Sequence, residues 1–202
     1  MAPITSYGGI LTRFRCVRGP GQPPSSLIGQ IQKASGDLFG ISIDYSGVLE
    51  DGDGMASCSL SAVKVSDKSD ASSDVLDSTT GSLLSGIANT GTTTSLTVSA
   101  ADLPALGCQI GDKLVNDTKQ WTTIIKKFSG VGRRTMEFDV VPVSVAPSDV
   151  WHIPAALGKV KGGVDGQQYI VNFVMTSARG YVFQDSILVS VVDACVIPTQ
   201  AP

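Results

Sequence analysis

Two hundred and two residues with a formal net charge of −3 allow one large domain or two small ones in a single chain. Hydrophobic residues make up 42 % and charged residues only 16 %, so the chain can bury a real core while carrying less charge than an ordinary globular enzyme. A single histidine, His152, excludes a multi-histidine metal site and leaves one candidate for an imidazole base.

The 22 glycines and 10 prolines, with serine and threonine filling the polar positions, indicate short strands joined by tight turns: an all-β protein. No apolar run approaches the roughly 20 residues of a membrane helix, and residues 1–18 lack the apolar stretch of a signal peptide. The expectation is a soluble protein made in the cytoplasm. Cys16, Cys58, Cys108 and Cys195 form no C-x-x-C pair, and are expected to be free, mostly buried thiols, with cross-links between subunits as the alternative.

Residues 1–33 carry Arg13, Arg15, Arg18 and Lys33 and no acid, whereas residues 34–103 hold ten acids against Lys64 and Lys68. With Arg18-Gly19-Pro20-Gly21-Gln22-Pro23-Pro24 unable to pack as a helix, residues 1–36 are expected to form an extended basic arm. Its arginines, Arg13, Arg15 and Arg18, are the candidate partner-binding residues, facing an acidic protein surface. Nucleic acid is a poorer partner, because no aromatics interleave with the charges. The arm could equally pair with the chain's own acidic middle.

Alternation begins at Phe39, with Ile41, Ile43 and Tyr45 on one face, and resumes over Met55–Val65 after the turn Glu50-Asp51-Gly52-Asp53-Gly54. Residues 66–95 are Ser/Asp-rich and predict a long loop or a domain crossing. Leu96-Thr97-Val98 predicts a short strand, and Ser99–Pro104 one helical turn stopped near the proline. Trp121–Phe128 and Arg134–Val140 form a hairpin around Gly130-Val131-Gly132, and Val150–Ile153 a closing strand. A final hairpin joins Tyr169–Met175 to Val182–Val192 through Ala178-Arg179-Gly180. The returning strand is apolar on both faces, so it is expected at the centre of a sheet with residues 39–65 as partners.

The chemistry-bearing motifs are weak. Asp51-Gly52-Asp53-Gly54 opens like a calcium loop, but Met55 and Ala62 stand where oxygen ligands belong. Gly158-Lys159 is followed by Val160, not by a magnesium-binding hydroxyl, and no Gly-x-Ser-x-Gly elbow occurs. His152 lies in an apolar run beside Trp151, which favours a packed residue over a base. No enzymatic activity, catalytic residue, metal or cofactor is expected. Trp121, Trp151, Phe128, Phe138, Tyr169 and Phe173 could stack sugars on an exposed face, although their apolar neighbours assign most of them to the core.

The run Asp44-Tyr45-Ser46-Gly47-Val48-Leu49-Glu50-Asp51-Gly52-Asp53 with Ala56-Ser57-Cys58-Ser59, and the later Gly162–Val171 with Thr176-Ser177-Ala178-Arg179-Gly180, resemble the two halves of a small Ig-like structural protein of tailed bacteriophages. Between them, Gly91–Leu96, Gly111–Asn116 and Asp149–Ile153 resemble the small β-domains of phage fibres and particle-surface proteins. The resemblance implies a discontinuous Ig-like β-sandwich over 37–87 and 155–197, interrupted by a small β-domain at 88–154. It further implies a virion component, made in the host bacterium, that decorates or stabilises the capsid or neck. Its partners would be capsid, connector or tail subunits and further copies of itself, with no direct contact to nucleic acid or membrane. The alternative is a receptor- or glycan-binding module of a tail fibre or tail tip.

Overall fold

The computed structural model describes residues 11–16, 25–50, 53–99 and 102–192. They form an almost entirely β structure built from two mixed sheets. The smaller sheet has four strands in the order β2 (Ser25–Ala34), β13 (Val182–Val192), β12 (Gln168–Ser177), β4 (Met55–Lys64). The larger has nine, running β1 (Leu11–Arg15), β3 (Phe39–Asp44), β11 (Val150–Val160), β8 (Lys113–Asn116), β9 (Trp121–Ser129), β10 (Thr135–Phe138), β7 (Ser95–Thr97), β6 (Thr90–Gly91). β5 (Ser82–Ile87) pairs with β11 outside that path.

Alternation dictates the small sheet. On β12, Tyr169, Val171, Phe173 and Met175 are buried while Ile170, Asn172 and Val174 are not, so one face must find a partner layer. β12 pairs antiparallel with β13 on one side and with β4 on the other, in register from Tyr169↔Lys64 to Thr176↔Ser57. The partner of residues 55–64 is therefore β12. β13 is central as expected, but its second neighbour is β2, which joins it in parallel.

Two cores result. The first gathers Ile41, Ile43, Tyr45, Leu60, Val171, Phe173, Ile187 and Val189 between the small sheet and the β1–β3–β11 end of the large one. The second gathers Leu96, Leu103, Leu114, Trp121, Ile125, Met136 and Trp151 in the middle of the chain. β11 serves both: Trp151, Ile153, Ala155 and Leu157 face the second core, Ala156 and Val160 the first. Pro154 sits in this strand at an irregularity between Ile153 and Ala156, the kind of position where a missing N–H is tolerated. The expected boundary between residues 154 and 155 falls inside this continuous strand. Sheet-to-sheet approach in the first core requires Gly158, where a Cβ would lie 2.9 Å from Leu60 Cδ1 and 3.3 Å from Phe173 Cζ.

Three further expectations are corrected. The extended arm over 1–36 is, where described, a pair of strands, because Leu11 packs on the second core and Phe14 and Ile31 on the first. Burying those side chains outweighs leaving the segment free. The loop over 66–95 contains a single α-turn, α1 (Ser72–Val75), with Val75 buried, followed by β5, β6 and the start of β7. The helical turn near Pro104 is a 3₁₀ turn over Pro104–Leu106 that starts on the proline, whose fixed φ suits a first position.

Candidate functional site

The candidate partner-binding arginines occupy different environments. Arg13 points from β1 towards the second core with its side chain only 9 % exposed and its guanidinium ion-paired to Asp112. It also donates from Nε to Ser42 Oγ at 2.8 Å and from Nη2 to the Gly107 carbonyl. Each guanidinium nitrogen has a partner within the chain, so this side chain holds the 102–112 loop to the sheet edge. Arg15 is 68 % exposed beside Asp44, with Nε 3.5 Å from its carboxylate. Arg18 lies outside the described residues. Lys33, a further part of the basic N-terminal segment, is buried and donates to the carbonyls of Ala34 and Gly162 at 2.6 and 2.7 Å; burial lowers its pKa, with Asp37 and Asp165 opposing.

Around Arg13 the loop is held tightly. Asp112 Oδ2 accepts the Gln109 N–H at 2.7 Å. Burial raises the Asp112 pKa above the ordinary carboxylate value, and the Arg13 charge opposes that rise without cancelling it. Cys108, buried next to this pair, is pushed up to about 12, chiefly by burial and then by Asp112, which makes it a poor thiolate. Cys58 is likewise raised to about 12 by burial. Neither forms a disulfide, nor does the buried Cys16, and Cys195 lies outside the described residues.

Gly107 is fixed here by two constraints. Its φ of +104° belongs to the region L side chains avoid, and a Cβ would meet Leu157 Cδ2 at 2.3 Å. Gly107→Ala is expected to cost about 1–3 kcal/mol from backbone strain and overpacking. Urea denaturation monitored by tryptophan fluorescence measures it.

His152 is also held. Its Nδ1 lies 2.9 Å from Asp117 Oδ2, a carboxylate–imidazole arrangement that orients a ring. Nε2 is buried and has no hydrogen-bond partner, so no hydroxyl or thiol of the described residues stands where a nucleophile would. The ring instead lies under the 53–54 loop, a Cβ at Gly54 falling 3.7 Å from Cε1. Among the described residues no cluster of three His, Cys, Asp or Glu side chains could hold a metal. Asp53 binds the protein itself: its Oδ1 accepts the Arg179 N–H at 3.1 Å. Gly54 accepts the Ala178 N–H at 2.8 Å, and the Arg179 guanidinium pairs with Glu50. The turn before β4 and the tip of the β12–β13 hairpin are thereby tied together.

The aromatic residues are mostly core. Trp121, Phe138 and Trp151 are buried, the first two with ring centroids 5.5 Å apart, and Tyr169 and Phe173 are buried in the first core. Phe128 is partly buried against the second core, and the exposed aromatic at the hairpin tip is Tyr181. A groove of about 430 Å³ opens at one end of the small sheet, lined by Gln32, Ser66, Gln167, Gln168 and Ser190 among others.

The contacts that organise these places join residues far apart in the chain, Arg13 to Asp112, Asp117 to His152 and Glu50 to Arg179. No local spacing signals any of them.

No family model matches this chain, and neither does any curated protein. Among solved structures, the chain is similar to the CupB6 tip adhesin from Pseudomonas aeruginosa at 13 % identity and a TM-score of 0.18. That match covers 86 % of this chain and 41 % of the adhesin chain, so the chain spans less than half of that protein's length.

Proposed function

We propose that this chain is a non-enzymatic structural component of a tailed-phage particle, decorating or stabilising the capsid or neck through contacts with capsid, connector or tail subunits. One observation supports this above the others. The two segments that resemble halves of an Ig-like phage structural protein, over a hundred positions apart, are neighbours: β4 pairs with β12, and Asp53 and Glu50 hold Arg179. Between them in the chain, β11 contributes side chains to both cores, so the body is stiffened by a shared element.

The glycan-binding alternative has less support, since the aromatics that would form its platform are mostly core. Attachment through the arm also changes character: of its arginines, Arg15 is the described one with an exposed side chain.

The test uses particles made from the genome that encodes the chain, purified on a density gradient and quantified by mass spectrometry. A fixed copy number per particle, retained through repeated banding, is the expected result. A chain that stays with the soluble fraction contradicts the reading.

A further inference from the structure

The outward face of the small sheet carries no charge. At the outward positions of β4, β12, β13 and β2 every residue is aliphatic, Ser, Thr, Asn or Gln. Across its centre runs the row Ser61, Asn172, Ser186, Leu27, flanked by Val174 on one side and the cross-strand pair Ile170–Leu188 on the other. Ser186 Oγ donates to Asn172 Oδ1 at 2.7 Å, and Asn172 Nδ2 lies 3.4 Å from Ser61 Oγ. Leu27 is 60 % exposed.

The large sheet shows the contrast. There Lys126 pairs with Asp139 and Lys127 with Glu137 at exposed positions of the β9–β10 ribbon. Solvated sheet faces ordinarily carry such charges, which also prevent sheets from stacking.

We propose that the outward face of the small sheet is a self-association surface, on which a second copy of this chain packs face to face about a two-fold axis. Area supports a stable pair. Four strands spaced about 4.8 Å apart and roughly nine residues long at about 3.3 Å per residue present roughly 600 Å² per copy. Two copies bury about 1,200 Å² before side-chain relief is counted, the lower end of the stable class.

Chemistry favours a copy over an unlike partner. Ser, Asn and Gln each donate and accept, so a two-fold operation can match such groups with their own kind. No ion need be desolvated. Elsewhere the chain's acidic excess opposes the approach of another copy. The inference stands on the face and not on the particle reading: a dimer absent from particles would reject only that reading, and a particle-bound monomer only this one.

Sedimentation equilibrium of the full chain tests it, with Leu188→Glu and Ser59→Lys placing a charge on the face. The wild type is expected to sediment as two copies, and each variant with native circular dichroism to associate at least about tenfold more weakly. Ser59 is exposed, so its variant decides the matter if Leu188→Glu does not fold. Lys126→Glu, on the other sheet, is expected to leave association unchanged. A monomeric wild type overturns the proposal, as does a dimer indifferent to Ser59→Lys or equally weakened by Lys126→Glu.

Discussion

Arg13→Ala is expected to destabilise the fold by about 3–5 kcal/mol, because it strands the Asp112 carboxylate in a buried site. The same change removes the donors to Ser42 and Gly107. An arginine in a free arm would give a surface-like effect within about 0.5 kcal/mol, so the variant separates the two roles sharply.

The penalty carries a pH signature. In the wild type the Asp112 pKa is raised, so the folded chain holds that proton more tightly than the unfolded chain. Its contribution to stability is therefore greatest in acid and is lost as pH climbs from the ordinary carboxylate value of 3.8 through the folded value. Without Arg13, the Gln109 N–H is left to oppose burial and the folded value moves higher. The variant's deficit should be smaller at about pH 4 than at about pH 8, where an unpaired carboxylate must ionise or keep its proton at a cost. Urea denaturation at the two pH values measures this. Equal deficits, or no deficit at either pH, would contradict the buried pair.

Phe173→Ala is expected to cost about 3–5 kcal/mol, the range for emptying a fully buried aromatic site. Phe173 stands between Leu60 on β4 and Asp185 on β13, and its ring reaches across to Gly158 on β11. Against a total stability of about 5–15 kcal/mol, the loss removes a large share of what holds the two sheets together. Gly158→Val alone should cost about 1–3 kcal/mol by crowding that ring and Leu60. In the Phe173→Ala background its cost should fall by about 0.5 kcal/mol or more, since the two side chains contend for one space. A double-mutant cycle in urea reads the coupling, and strict additivity would mean that the ring does not bridge the sheets.

The sequence made some elements plain and hid others for physical reasons. β12 and β13 are regular alternations around a glycine turn, and β9 and β10 repeat the pattern, so periodicity alone locates them. β1 and β2 were hidden by their charges. Arg13 and Lys33 look like surface residues until Asp112 and the Gly162 carbonyl, 99 and 129 positions away, are seen beside them. β5, with two serines and a glycine in six residues, has little intrinsic strand character and is held by pairing with β11. β11 runs on past the closing strand expected at Val150–Ile153, because it absorbs Pro154 at an irregularity.

The site was less legible than the fold. His152 was expected to be packed, and it is, but Asp117 beside it is not signalled by any spacing. The aromatic residues followed their apolar neighbours inward, as alternation implies. The charge-free outer face was latent in the serine-rich alternation of β4, yet it becomes a surface only once β2, β13 and β12 are set beside it.

The central claim is that β4 and β12, more than a hundred positions apart, are hydrogen-bonded neighbours. Hα–Hα nuclear Overhauser contacts test it most directly, because facing residues of an antiparallel pair approach most closely at alternate positions. The account predicts such contacts at every second pair between Tyr169↔Lys64 and Thr176↔Ser57. A pattern placing β4 against β3 or β13, or shifted by one residue so that Phe173 turns outward, would contradict it.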